Sequence, residues 1–101
     1  MTRLRFLAAL LALLAAGTAV AQQAPVVMYA TSWCPYCAKA RAHFARQGIA
    51  YVEHDIEKSA AANAEFKRLG GRGVPLILVG KEKMRGYSEQ GLDALLARAG
   101  R

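Results

Sequence analysis

A single α/β sandwich, with elements in the order β-α-β-α-β-β-α, is predicted by three features of the sequence. Short runs rich in apolar and β-branched residues alternate with stretches whose apolar residues recur at helical spacing. Glycine and serine stand at the joints, where helices need stops and caps. One run, Pro75-Leu76-Ile77-Leu78-Val79, is apolar throughout, the pattern of a strand covered on both faces.

Each element has its own local reason. Val26-Val27-Met28-Tyr29-Ala30 reads as a short buried strand. Pro35 opens the first helix, because proline at a first helical position sacrifices an N–H that would have no intrahelical partner. That helix runs to about Gln47 with Cys37, Ala40 and Phe44 on one apolar stripe, and Gly48 is its expected stop. Ala50 to His54 is the second strand, where Tyr51 and Val52 supply β-favouring bulk. Ser59 is placed to cap a second helix whose Ala62, Phe66 and Leu69 share a face before Gly70-Gly71. Pro75 to Val79 is the third strand, and Gly80-Lys81 turns it into a fourth, Glu82 to Arg85. Ser88 caps a last helix that carries Leu92, Leu95 and Leu96 inward and ends near Gly100. A right-handed crossover through the first helix makes the first two strands parallel.

The first twenty-one residues read as a cleavable signal peptide. Arg3 and Arg5 precede an unbroken apolar run from Phe6 to Ala16, and Ala19-Val20-Ala21 fits the small-x-small cleavage pattern. The rival reading, a membrane anchor, has only the sixteen residues from Phe6 to Ala21, against the ~20 that cross a bilayer. Gln22, not a cysteine, stands directly after the cut, which argues against a lipid-modified N-terminus. Residues 22–25 are then a short linker and 26–101 the domain, expected to be monomeric and exported, with the bacterial periplasm as its compartment. Contact with a membrane is expected only through an uncleaved leader. Without Arg3 and Arg5, twelve basic residues face seven acidic ones, a charge of +5 that ordinary solubility explains. There is no arginine–aromatic interleaving or recognition-helix pattern, so nucleic acid is set aside.

Both cysteines lie in Thr31-Ser32-Trp33-Cys34-Pro35-Tyr36-Cys37, between the first strand and the first helix. Cys34 falls where unpaired N–H groups and the positive end of the helix dipole converge, which stabilises a thiolate. Cys37 is one turn on, close enough to form a disulfide with it. So small a loop removes little unfolded-state entropy, so the spacing favours redox chemistry over a structural staple. Export to an oxidising compartment is consistent with this.

Tyr29 followed by Cys34-Pro35-Tyr36-Cys37, Gly48-x-x-Tyr51-x-x-x-Asp55, Gly73-Val74-Pro75 and Gly86-Tyr87-Ser88-Glu89 together resemble the glutaredoxin family. The resemblance covers Val26 to Ala99. It implies a thioredoxin/glutaredoxin-like three-layer sandwich with a four-stranded mixed sheet, and a thiol–disulfide oxidoreductase that acts on protein or glutathione mixed disulfides. Cys34 is then the attacking thiol, partly exposed with a lowered pKa, and Cys37 the shielded resolving thiol. The Val74–Pro75 bond is expected to be cis and to lie against the cysteines, with the Val74 backbone open to an extended substrate. Trp33, Tyr36, Arg72, Val74, Pro75, Tyr87, Ser88 and Glu89 form the expected binding set for glutathione or a peptide.

The chain departs from the family where glutathione is concerned. Thr31 stands where many members carry lysine, Gly73-Val74-Pro75 replaces Thr-Val-Pro, and the acidic pair is reduced to Ser88-Glu89. Arg72 is the candidate for a carboxylate contact, while Lys81, Lys83 and Arg85 read equally well as a solvated edge that resists aggregation. No bound cofactor is implied, glutathione is the cosubstrate the resemblance allows, and the reductant is left open. The histidines do not suit a zinc site: His43 and His54 are too far apart for a finger pair and read as surface or rim residues. Ala38 excludes Cys-x-x-Cys-His haem attachment. The alternatives are a Cu(I) module using the two thiolates, a protein-disulfide reductase that does not use glutathione, and an inert disulfide-bearing domain.

Overall fold

The structure is a computed structural model describing residues 23–101; the expected leader, residues 1–21, lies outside the described residues. Seven elements follow in chain order: β1 (Val26–Ala30), α1 (Pro35–Gln47), β2 (Val52–Asp55), α2 (Ala60–Arg68), β3 (Leu76–Val79), β4 (Glu82–Arg85) and α3 (Glu89–Arg98). The strands form one sheet in the order β2-β1-β3-β4. β1 and β2 are parallel with Val27 opposite Val52, whereas β1–β3 and β3–β4 are antiparallel. The expected mixed α/β sandwich is what forms.

Residue alternation along the strands builds a core on each side of the sheet. Val26, Met28 and Ala30 of β1 and Ile77 and Val79 of β3 join α1 and α3 in the larger one, through Ala40, Phe44, Leu92, Leu95 and Leu96. Tyr29 and Leu76 face the other way and meet Phe66 of α2. The apolar run of β3 is therefore covered on both faces, as its composition predicts.

The helix ends follow their local chemistry. Gly48 closes α1 at φ 63°, and the N–H groups of Gly48 and Ile49 return to the Ala45 and Phe44 carbonyls, a Schellman arrangement. Ser59 and Ser88 accept from the N–H groups of Ala62 and Gly91, both at 3.1 Å. At the far end of α2, Lys83 Nζ donates to the Leu69 carbonyl and Arg85 Nε to that of Gly70. Two of the three expected edge cations thus satisfy helix-terminal acceptors, where positive charge also suits the dipole. Ahead of β1, Pro25 accepts from the Gly80 N–H and Ala24 packs on the larger core.

Three strand boundaries differ from expectation, one of them the end of β2, which runs to Asp55 rather than His54. β2 starts at Val52 rather than Ala50, because the Tyr51 ring packs on Phe44 at 4.4 Å between centroids instead of extending the ladder. β3 starts at Leu76 rather than Pro75, since proline has no N–H to give the ladder.

Candidate active site

β1 ends at Ala30, and the turn into α1 presents Trp33 and Cys34 beyond the C-terminal end of that strand. Cys34 is the N-cap of α1, and its Sγ accepts the Cys37 N–H at 3.1 Å. The sulfur thus takes the place usually filled by a serine or aspartate oxygen, with a backbone donor and the helix dipole directed at it. The expectation of a partly exposed Cys34 is corrected: it is only 5% exposed. The cause is this capping geometry, which folds the side chain back over its own helix and under the Val74 carbonyl, to which the thiol donates at 3.7 Å.

Cys37 is fully buried on the inner stripe of α1. Burial pushes its thiol up to about 11, and the hydrogen-bonded Cys34 side chain adds to the rise. A backbone hydrogen bond from Thr31 and the charge of Arg41 pull the other way. Both cysteines are free thiols. An outer sulfur that accepts the Cys37 N–H and an inner one held protonated by burial can serve as nucleophile and resolving partner.

A groove of about 420 Å³ opens beside Cys34, walled by Trp33, Tyr36, Glu57, Arg72 and Val74. Trp33 is 67% and Tyr36 55% exposed, the two largest apolar side chains left open to solvent among the described residues. The Trp33 indole N–H donates to Glu57, which fixes the ring as one wall. Val74–Pro75 is cis, as the resemblance implies, and Pro75 is buried behind the groove. Thr31, in place of the family lysine, is buried with a hydroxyl that has no protein partner.

The expected binding set does not form one surface. Tyr87, Ser88 and Glu89 line a second hollow of about 390 Å³ together with Lys39 and Arg46 of α1. Tyr36 borders both hollows, and Lys39 lies 5.0 Å from the centre of its ring.

His43 is a correction: it is 0% exposed, not a rim residue. Its Nε2 pairs with Asp93 Oδ1 at 2.8 Å, and its Nδ1 with the Tyr87 hydroxyl at 2.9 Å. A buried imidazole is tolerated here because both nitrogens have partners. The Asp93 carboxyl is held below the usual carboxylate range by the Gln47 amide; desolvation opposes this, and the His43 hydrogen bond and charge add to the lowering. His54 is exposed, as expected. Among the described residues no three His, Cys, Asp or Glu side chains gather to hold a metal ion.

Arg41 also belongs to the surroundings of the dithiol, with no motif in the sequence to mark it. It sits four residues after Cys37, a spacing that brings side chains together on a helix. Its guanidinium grips Glu53 of β2 through two bonds of 2.8 and 2.9 Å and donates to the Thr31 carbonyl at 3.0 Å.

A four-stranded sheet of this order, with a Cys-x-x-Cys dithiol at the entry to its first helix, defines a thioredoxin-like thiol–disulfide oxidoreductase. The glutaredoxin family model matches residues 26–84. A glutaredoxin of Pseudomonas aeruginosa is 37% identical over 81 residues, covering 72% of this chain and 96% of its own. Glutaredoxin 3 of Escherichia coli is 36% identical over 78 residues, covering 76% and 92%. Among solved structures, the glutaredoxin of Brucella melitensis superposes with a TM-score of 0.61 at 30% identity, over 82% of this chain and 98% of that one. The chain belongs to the glutaredoxin family.

Proposed function

We propose that this protein exchanges disulfides through Cys34 and Cys37, acting on protein disulfides and glutathione mixed disulfides outside the cytosol. The observation that carries the reading is the Cys34 sulfur, capping α1 on the Cys37 N–H and opening onto the aromatic groove. Cys34, as thiolate, attacks a substrate disulfide; the S–S bond breaks and one thiolate leaves, taking a proton from solvent. Cys37 then gives up its proton and attacks Cys34 Sγ. The mixed disulfide breaks, the second thiolate departs, and two electrons have passed from the dithiol to the substrate. Trp33 and Tyr36 offer faces to the substrate chain, the Val74 backbone pairs with it, and Arg72 supplies the cation for a carboxylate. The signal-like pattern of the first twenty-one residues favours action in an oxidising compartment.

The test is turnover of a small glutathione mixed disulfide by the mature domain. Cys34→Ser is expected to fall to background, whereas Cys37→Ser keeps monothiol deglutathionylation and loses dithiol reduction. Unchanged turnover in Cys34→Ser ends the proposal. A second reading, a protein-disulfide reductase independent of glutathione, is favoured by Thr31, which leaves that wall of the groove without the family cation. Under that reading a protein disulfide is reduced at the same rate with and without glutathione, and the glutathione mixed disulfide is a poor substrate. Export is checked by the N-terminal residue of the protein recovered from the periplasmic fraction, expected to be Gln22.

A further inference from the structure

Arg41 is a cation with an unusual commitment. It lies on α1 four residues beyond Cys37, held on one side by both oxygens of Glu53 and on the other by the Thr31 carbonyl. The Thr31 backbone is also one of the groups that favour the charged form of the Cys37 thiol. One guanidinium therefore ties the edge strand β2 to the end of β1 and fixes the backbone that faces the inner sulfur. The rest of that sulfur's surroundings offers an anion nothing: the core cluster holding Cys37 is apolar from β1, β3 and α3, through Met28, Ile77 and Leu92. The charged or titratable groups acting on Cys37 are Cys34, on its own helix, and Arg41.

We propose that Arg41 is the positioning residue of the resolving step: it offsets the cost of a negative charge on the buried Cys37 sulfur, and Glu53 attenuates it. The inference rests on the dithiol reading above. In that step Cys37 releases its proton to solvent, its sulfur bonds to Cys34 Sγ, and the Cys34–substrate S–S bond breaks with the electron pair leaving on the substrate thiolate. Negative charge passes through Cys37 at the least hydrated point of the cycle, where an isolated ion is costly. A cation nearby favours the charged form, and a carboxylate paired with that cation takes back part of the effect. Arg41 and Glu53 should therefore have opposite effects on the rate although they make the same salt bridge.

The experiment uses the reduced mature domain and an aromatic disulfide whose thiolate is coloured. Cys34 attack releases the first thiolate in a phase that depends on reagent concentration. Cys37 resolution releases the second in a phase that does not. In Arg41→Gln the second phase, relative to the first, is expected to slow by ~3-fold near neutral pH, with its pH midpoint moved upward. In Glu53→Gln it is expected to speed up by ~2-fold with the midpoint moved downward, and Arg41→Lys should recover most of the wild-type rate. Equal slowing in both Gln variants would mean the salt bridge matters only as a brace and overturns the proposal, as does an unmoved midpoint in Arg41→Gln. If Arg41→Gln does not fold, the sign of the Glu53→Gln effect decides alone. A wild-type protein with no second phase removes the dithiol reading itself, and this inference with it.

Discussion

Cys37 occupies a place that holds a thiol well and a thiolate badly, and this links its protonation to folding. Its folded pKa is raised by burial to about 11, above that of an unfolded cysteine, so the stability it contributes is present at neutral pH. That stability is lost as pH rises from about 9 to about 11, where the unfolded chain has released the proton and the folded one still holds it. The loss is on the order of 2 kcal/mol. Urea midpoints of the reduced protein between pH 8 and 11 should therefore fall more steeply than those of Cys37→Ala, the comparison cancelling the Tyr51 hydroxyl, which burial also shifts upward. His43 gives a second test at this scale. Replacing it with alanine empties a fully buried site, takes the Tyr87 hydroxyl's partner and leaves Asp93 bonded to Gln47 alone, and is expected to cost ~1–3 kcal/mol in denaturant unfolding. The two cysteines were legible in the sequence because their role depends on four consecutive residues and a helix start. The burial of His43 was not, since its partners lie 44 and 50 residues away and the helical stripe that contains it reads as apolar without it.

At the scale of elements, the helices hold because their ends are satisfied locally. Ser59→Ala and Ser88→Ala each remove one cap bond, expected to cost ~1 kcal/mol in thermal or urea unfolding. The turn after α2 is constrained differently. Gly71 lies against the Phe66 ring, and a Cβ built there runs into the ring carbons. Gly71→Ala should destabilise by ~1–3 kcal/mol through overpacking, and a Phe66→Leu change should recover part of that loss. Caps and stops such as Ser59, Ser88 and Gly48 were legible since each acts within four residues of itself. The start of β2 was not: Tyr51 has strand-favouring chemistry, and only the Phe44 ring, supplied by another element, draws it into the core. The Arg41–Glu53 pair was hidden for the same reason, as parallel pairing sets it without any local pattern.

For the whole molecule, β3 is the strand that joins the two cores. Leu76 and Ile77 are adjacent in sequence and both fully buried, yet they serve opposite faces of the sheet. Leu76→Ala and Ile77→Ala are each expected to cost ~2–5 kcal/mol. Each should lower a single unfolding transition, coincident by fluorescence and far-UV circular dichroism, because neither core stands without the strand they share. The element order and the covered third strand were legible at this scale through hydrophobic pattern and handedness. The split of the binding set into two hollows was not, because it depends on how α3 docks against α1. The placement of Trp33 has a practical result. It is the chain's single tryptophan, it adjoins Cys34, and its indole is anchored to Glu57 while the ring stands in water. All ultraviolet emission excited at the indole edge therefore originates one residue from the reacting sulfur, so the protein carries its own optical gauge of thiol oxidation and needs no attached dye.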